Sequence, residues 1–263
     1  MKILIVNDDG FRGKGLHALI RALKDDHELT VVVPEYEQSG KSHSITFLDP
    51  LYLDKIYLPE AEHEVYIVKG TPADCVVMGV DQLLGGAPDI LLSGINRGYN
   101  IASCLPYSGT VSAAYEGACR NIPSIALSAG FIDADFDLVA NMFKRMLPAI
   151  LEAEKGNPFF YNINFPEVSL EELKGIRKTT IAREPVWDCL EKREDPFGRP
   201  YYWHSYDEIH EDTMPVDDPG SDLEAIHQGY ISVTPLKLDY LDREKLEHMM
   251  AFSDVYAEIK GMK

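Results

Sequence analysis

The chain has 263 residues, 25 Lys and Arg against 43 Asp and Glu for a formal charge of −18, and 45% hydrophobic residues. That length holds one large domain or two small ones, since domains run about 100 to 200 residues, and it can bury a core without a disulfide or metal staple. So acidic a chain excludes a protein that grips nucleic acid or an anionic membrane by charge, because such binding rests on Lys and Arg neutralising phosphates, and the ordinary apolar fraction excludes disorder.

In chain order, Ile3-Leu4-Ile5-Val6 is an aliphatic run too short for a helix, and Asn7-Asp8-Asp9-Gly10 bounds it. Such a run fits a strand covered on both faces, as in parallel sheets. Leu16, Leu19, Ile20 and Leu23 then fall at helical spacing, and Leu29-Thr-Val-Val-Val33 reads as a second strand stopped by Pro34. Residues 65–68 read as a third strand, with Pro72 opening a helix through Cys75 and Val76. Ile90-Leu-Leu92 is a further strand, ending in Ser93-Gly-Ile-Asn-Arg-Gly98. Residues 109–117 have helical character and 124–128 strand character, and 136–153 read as a long helix with an internal Pro148. This alternation predicts βαβ units and a mainly parallel sheet between helices, hence an α/β domain over residues 1–165.

Residues 166–263 break the rhythm. Pro185, Pro196, Pro200, Pro215 and Pro219 accompany Trp187, Tyr201, Tyr202, Trp203 and Tyr206, and a strand follows at residues 230–234. Residues 183–222 hold 4 basic and 12 acidic side chains, so much of the negative charge gathers there. Prolines and aromatics beside acids predict extended arms or a hairpin packing on another subunit or on the first domain. Cys75, Cys104, Cys119 and Cys189 have no C-x-x-C spacing and read as free thiols of a reducing compartment. The short apolar stretch before Asp8 matches neither a signal peptide nor a membrane span, so a cytoplasmic protein is expected.

Ligands of open α/β sheets bind at the carboxyl ends of the strands, which selects the loops to read for chemistry. Asp8 and Asp9 stand directly after the first strand, where adjacent carboxylates repel unless a cation or hydrogen bonds compensate. The simpler reading is an Asp-Gly turn. Ser39 and Gly40 follow the second strand, and Asn96 follows the strand at 90–92. Two carboxylates with a hydroxyl and an amide carbonyl form a hard oxygen set suited to Mg²⁺, Mn²⁺ or Ca²⁺. His17, His43 and His63 lack metal-ligand spacing. Ser108-Gly109-Thr110 opens a predicted helix, whose free N–H groups favour an anion, while Ser108 serves equally as an N-cap. With Lys41 and Arg97 nearby, the loops carry donors for a phosphate facing a metal, the combination that metal-assisted phosphoester hydrolysis requires.

Two look-alikes fail, and a third motif is absent. Gly40-Lys41-Ser42 resembles the end of a P-loop, but Glu35 occupies the position of its first glycine. Gly10-Phe-Arg-Gly13-Lys-Gly15 reverses the dinucleotide spacing, and Asp8 and Asp9 would repel a pyrophosphate. No G-x-S-x-G elbow occurs.

Nine segments in order resemble the SurE family of nucleotidases over nearly the whole chain. They are Ile5-Val-Asn-Asp-Asp-Gly10, Ser39-Gly-Lys-Ser-His-Ser-Ile-Thr46, Lys69-Gly-Thr-Pro-Ala-Asp-Cys75, Ser93-Gly-Ile-Asn-Arg-Gly98, Tyr107-Ser-Gly-Thr-Val111, residues 114–117 and 123–128, Asn162-Ile-Asn-Phe-Pro166, and Gly229-Tyr-Ile-Ser-Val-Thr-Pro-Leu236. The resemblance implies a Rossmann-like three-layer sandwich and a divalent-metal phosphatase, with one Mg²⁺ or Mn²⁺ per subunit and Ca²⁺ as a further option. It implies hydrolysis of nucleoside 5′- or 3′-monophosphates. It implies Asp8, Asp9, Ser39 and Asn96 as metal ligands, the set selected above, and dimers or tetramers built through a C-terminal hairpin arm within residues 166–263. Residues 207–220 depart most from the family pattern, so arm contacts carry over least there.

In that reading Asp8 and Asn96 are catalytic. Asn7, Gly40, Lys41, Arg97, Ser108, Gly109 and Thr110 face the phosphate of a small nucleotide, with no nucleic-acid polymer and no membrane as partner. Short-chain polyphosphate hydrolysis and non-catalytic nucleotide binding on the same fold stand as alternatives.

Overall fold

A computed structural model describes residues 1–183, 189–205, 218–239, 241–248 and 260. Pro185, Trp187, Tyr206, Pro215 and most of the acidic run at 207–220 lie outside the described residues.

Chain order runs β1 (Lys2–Val6), α1 (Lys14–Leu23), β2 (Glu28–Pro34), β3 (Leu53–Leu58), β4 (His63–Val68), α2 (Pro72–Met78), β5 (Ile90–Arg97), α3 (Gly109–Cys119), β6 (Ser124–Ala129), α4 (Phe136–Glu154) and β7 (Phe160–Phe165). It continues with β8 (Ile176–Lys178), β9 (Cys189–Glu194), β10 (Pro200–Ser205), α5 (Asp222–His227), β11 (Ile231–Pro235) and α6 (Arg243–His248). One nine-stranded sheet has the order β3-β4-β2-β1-β5-β6-β7-β11-β8. Its central pairs are parallel, and only β3 with β4 and β11 with β7 run antiparallel. The chain is thus an α/β sandwich of the Rossmann-like kind.

The aliphatic runs explain the layers. Along β1, Ile3 and Ile5 face one core with Val31, Val33, Ile90 and Leu92, covered by Leu16, Leu19 and Ile20 of α1 and Phe143 of α4. Leu4 and Val6 face the other core with Val32, Leu91 and Ala126, under Val76 of α2 and Ala113 and Ala114 of α3. Each fully buried aliphatic side chain contributes roughly 1.5–3 kcal/mol, and the four successive residues Ile3 to Val6 of β1 supply that to both cores.

Chain order reverses about β1. From there the chain builds outward through β2 and β4 on one side and returns to β5 on the other. The crevice between the ends of β1 and β5 is therefore the switch point where such sheets place ligands.

β5 extends beyond the expected residues 90–92. It continues to Arg97, pairing Asn96 with Ser128 and Arg97 with Ala129 after a register shift between Ser93 and Asn96. Gly94 makes the irregularity possible. Its φ is +133°, and a Cβ there would stand 2.3 Å from the Leu127 carbonyl oxygen. Asn96 thus projects from the end of a bulged strand.

After residue 165, β8 and β11 complete the main sheet, whereas β9 and β10 form a separate antiparallel hairpin. Its Tyr202 and Trp203 are exposed.

Candidate active site

Asp8 leaves the tip of β1 and is buried, with Asn7 fully enclosed beside it. Across the crevice, α3 begins at Gly109 with Ser108 as its N-cap, whose Oγ accepts from the Val111 N–H at 3.0 Å. Thr110 donates its hydroxyl to the Asp8 carboxylate, and its N–H bonds the same group. Asp8 therefore sits in the positive end of α3, where free N–H groups favour an anion. Gly109 permits the approach, since a Cβ there would lie 2.8 Å from both Cβ and Oδ2 of Asp8.

Burial raises the Asp8 carboxyl above its ordinary range against these donors. Burial, and then the charges of Asp8 and Glu37, push Asp9 up to about 7, opposed by the Arg97 N–H and guanidinium. A buried carboxylate beside a half-buried one, both short of positive charge, fits a divalent cation, which would offset their repulsion. The buried Asn7 Oδ1 also lacks a hydrogen-bond partner, while Asn7 Nδ2 donates to the Gly10 carbonyl at 2.9 Å.

A pH dependence follows. Because folding raises the Asp9 pKa from 3.8 to about 7, the metal-free folded chain binds more protons than the unfolded chain between those values. Its stability should fall as pH rises across that window. Thermal melts in EDTA from pH 5 to 8 should show a declining midpoint, flattened in Asp9→Asn; an equal decline in that variant would refute the assignment.

The remaining residues divide into two groups. Asn96 donates Nδ2 to the Gly98 carbonyl at 2.8 Å. Arg97 holds Asp9 through its N–H, but its side chain turns to Phe131, donating Nε to that carbonyl at 2.9 Å with the guanidinium 4.4 Å from the ring centroid. The β2 loop touches the site through Gln38, whose N–H donates to the Asp8 carbonyl at 2.8 Å. Ser39 is exposed and gives its hydroxyl to Glu37 at 3.0 Å. Gly40 and Lys41 are exposed on the same loop.

Sequence reasoning missed Glu37 and two sets of supports. Asn100 donates Nδ2 to Ser128 Oγ at 2.8 Å and N–H to Asn164 Oδ1 at 2.8 Å, and its carbonyl accepts from Asn162 and Asn164. This buried network fixes the chain just beyond Asn96. On the other side, Asp74 takes the Thr46 and Thr71 N–H groups, and Thr71 Oγ1 donates to the Ser44 carbonyl. His43 meets Glu116 of α3 at 2.9 Å. Despite its burial, Glu116 is held below its ordinary value by His43 and Arg120. These contacts explain why polar residues recur in the motifs of residues 39–46, 69–75 and 162–166.

The chain matches the family model for survival protein SurE over residues 3–187. It is 43% identical over 252 residues to a protein named 5′-nucleotidase SurE from Thermosipho melanesiensis, covering 95% of this chain and 96% of that one. A protein of the same name from a Synechococcus species is 39% identical over 245 residues, covering 91% and 92%. The crystal structure of the SurE protein from Aquifex aeolicus superposes with a TM-score of 0.79 at 36% identity, covering 96% of this chain and all of that one.

Proposed function

The chain belongs to the SurE family of survival proteins, and from that premise we propose that it is a divalent-metal-dependent phosphatase releasing phosphate from nucleoside 5′-monophosphates and from 3′-monophosphates. The observation that carries this reading is the Asp8 carboxylate, buried at the tip of β1, fastened to Thr110 and adjacent to an Asp9 that burial holds near neutrality. Asp8, Asp9, Ser39 and Asn96 would hold one Mg²⁺ or Mn²⁺. When bound, such a cation polarises a phosphoryl oxygen and lowers the pKa of a water.

The chain's own residues supply the rest. Thr110 fixes the orientation of Asp8, so that the carboxylate needs no rearrangement during the reaction. Ser108 and Gly109 set the start of α3 against the site, where N–H groups offset charge on phosphoryl oxygens. Asn96 contributes a neutral amide at the bulged end of β5. Lys41 and Arg97 add positive charge at the rim, with Arg97 steadied by Phe131. Gly40 lies exposed on the β2 loop toward the phosphate, while the enclosed Asn7 supports the turn after β1 through its bond to the Gly10 carbonyl.

Residues 1–165 form the catalytic unit in this reading, and residues 166–263 close the sheet and extend the β9–β10 hairpin as an oligomerisation arm of a homodimer or homotetramer. Among the described residues no helix is long and apolar enough to cross a membrane. On separate grounds, the free thiols Cys75 and Cys119 of a reducing compartment, we assign the enzyme to the cytoplasm.

The test is phosphate release from AMP and GMP. Release with Mn²⁺ or Mg²⁺ should stop in EDTA and return when metal is restored; turnover that persists in EDTA would overturn the metal-dependent reading.

A further inference from the structure

The connection from Pro34 to Leu53 holds no helix or strand, and long loops without structure of their own are usually functional. From Ser39 to Pro50 every residue is exposed except His43 and Thr46. The stretch leaves the carboxylate site at Gln38, whose N–H donates to the Asp8 carbonyl at 2.8 Å. Ser39 then gives its hydroxyl to Glu37 at 3.0 Å, and Lys41 gives its N–H to the Gln38 carbonyl at 3.3 Å. Both bonds are internal to the loop, so they do not set where Ser39 stands relative to Asp8.

The loop is fastened again at Ser42 and His43. Ser42 donates its N–H to the Tyr107 carbonyl at 3.0 Å and its hydroxyl to the Pro106 carbonyl at 2.6 Å. Its φ is +55°, a left-handed conformation that a residue with a Cβ keeps only where its surroundings impose it. His43 Nε2 lies 2.9 Å from Glu116 Oε2, and its ring packs edge-on against Tyr115 with centroids 5.0 Å apart. The carboxylate is itself held: Glu116 Oε1 accepts from Arg120 Nε at 2.9 Å, and Arg120 Nη1 donates to Asp81 at 2.9 Å. An ionised carboxylate only accepts, so Nε2 is the donor, and such a charge-assisted bond is stronger than the neutral bonds of Ser42. His43 and Glu116 are both half-buried, which limits competition from water. Thr110, which orients Asp8, belongs to the same helix as Glu116. One helix thereby holds both Asp8 and the loop that carries Ser39.

We infer that His43 is a positioning residue of the metal site: by donating to Glu116 it holds Ser39 at a fixed place relative to Asp8, and so sets the affinity for the cation. The inference rests on Ser39 being a metal ligand and names the residue that keeps it in place. Partners that orient metal ligands contribute roughly 10–100-fold in affinity, and His43 acts through the backbone without touching Ser39, so the expected loss is about tenfold.

The experiment titrates Mn²⁺ into the metal-free full chain without nucleotide and reads free Mn²⁺ by its electron paramagnetic resonance signal. His43→Ala should weaken Mn²⁺ binding about tenfold. His43→Gln, which keeps a side-chain N–H donor, should recover most of the affinity, which loss of packing alone would not allow. Glu116→Gln removes the charge, should weaken binding in the same direction, and serves as the second variant if His43→Ala does not fold. In a Ser39→Ala background, His43→Ala should cost little more, because the ligand it positions is already gone. Unchanged binding in the folded variants, an equal loss in His43→Ala and His43→Gln, or a full further loss in the Ser39→Ala background overturns the inference. Two other results strike the metal assignment on which it rests. Ser39→Ala binding Mn²⁺ like the parent removes Ser39 as a ligand, and absence of binding by the unsubstituted chain removes the metal site; either takes this inference with it.

Discussion

Asp8→Asn should lose at least about a thousandfold in phosphate release, at the upper end of what deleting one electrostatic group from a reaction centre costs, while the metal-free protein melts no lower than the parent. The two outcomes share one cause. Burial already raises the Asp8 carboxyl against the hydrogen bonds from Thr110, so its ionised form is held at a cost that only a cation would relieve. Asparagine keeps the shape and an oxygen to accept from Thr110, but it brings no charge. Its burial beside Asn7 should leave the fold intact. Activity is followed by phosphate release with saturating Mn²⁺ and stability by thermal melts in EDTA. Wild-type turnover in the variant would remove Asp8 from the mechanism, and a collapsed midpoint would make its role structural.

Gly15→Ala should produce the largest loss of stability from a single methyl group. Gly15 lies in the first turn of α1, and a Cβ there would stand 2.0 Å from the carbonyl oxygen of Ile95 in β5. Both partners are backbone, so neither can rotate away, and overpacking that typically costs about 1–3 kcal/mol should reach the top of that range or exceed it. For a chain of this size the thermal midpoint should drop by on the order of 10 °C. Ile95 directly precedes Asn96, so turnover should fall as well. Gly86→Ala is the control: no atom lies within 4 Å of its added Cβ, and it should melt close to the parent. Equal melting of the two variants would show that α1 moves freely on β5.

How far these features are legible in sequence depends on where the determining contact lies. The strands β1, β2 and β6 announce themselves because each feeds two cores and so carries a run of adjacent apolar residues, Ile3 to Val6, Val31 to Val33 and Ile125 to Leu127. β3 escapes notice because it is an edge strand with Asp54, Lys55 and Tyr57 exposed, so it carries no continuous run. β7 is hidden for the opposite reason: Asn162 and Asn164 are buried within it, and their polarity makes sense only beside Asn100. Ser93 to Gly98 reads as a turn from its glycines, and only the backbone of β6 at Leu127 explains why it continues as a bulged strand.

The sequence by itself determined that this acidic chain builds a parallel α/β sheet, that Asp8 and Asp9 end its first strand, and that nine ordered motifs place it in one family. Those properties follow from residue type and local order, because burial on two faces and strand-end position are written in neighbouring residues. Tertiary structure decided that Thr110 grips Asp8 from 102 positions away, that Glu37 adds a third negative charge beside the pair, and that His43 of the loop after β2 lands on Glu116 of α3. The physical reason is common to all three. Desolvation, electrostatic repulsion and hydrogen bonds between loops and helices depend on separations in space that residue order leaves open until the sheet brings its loops together.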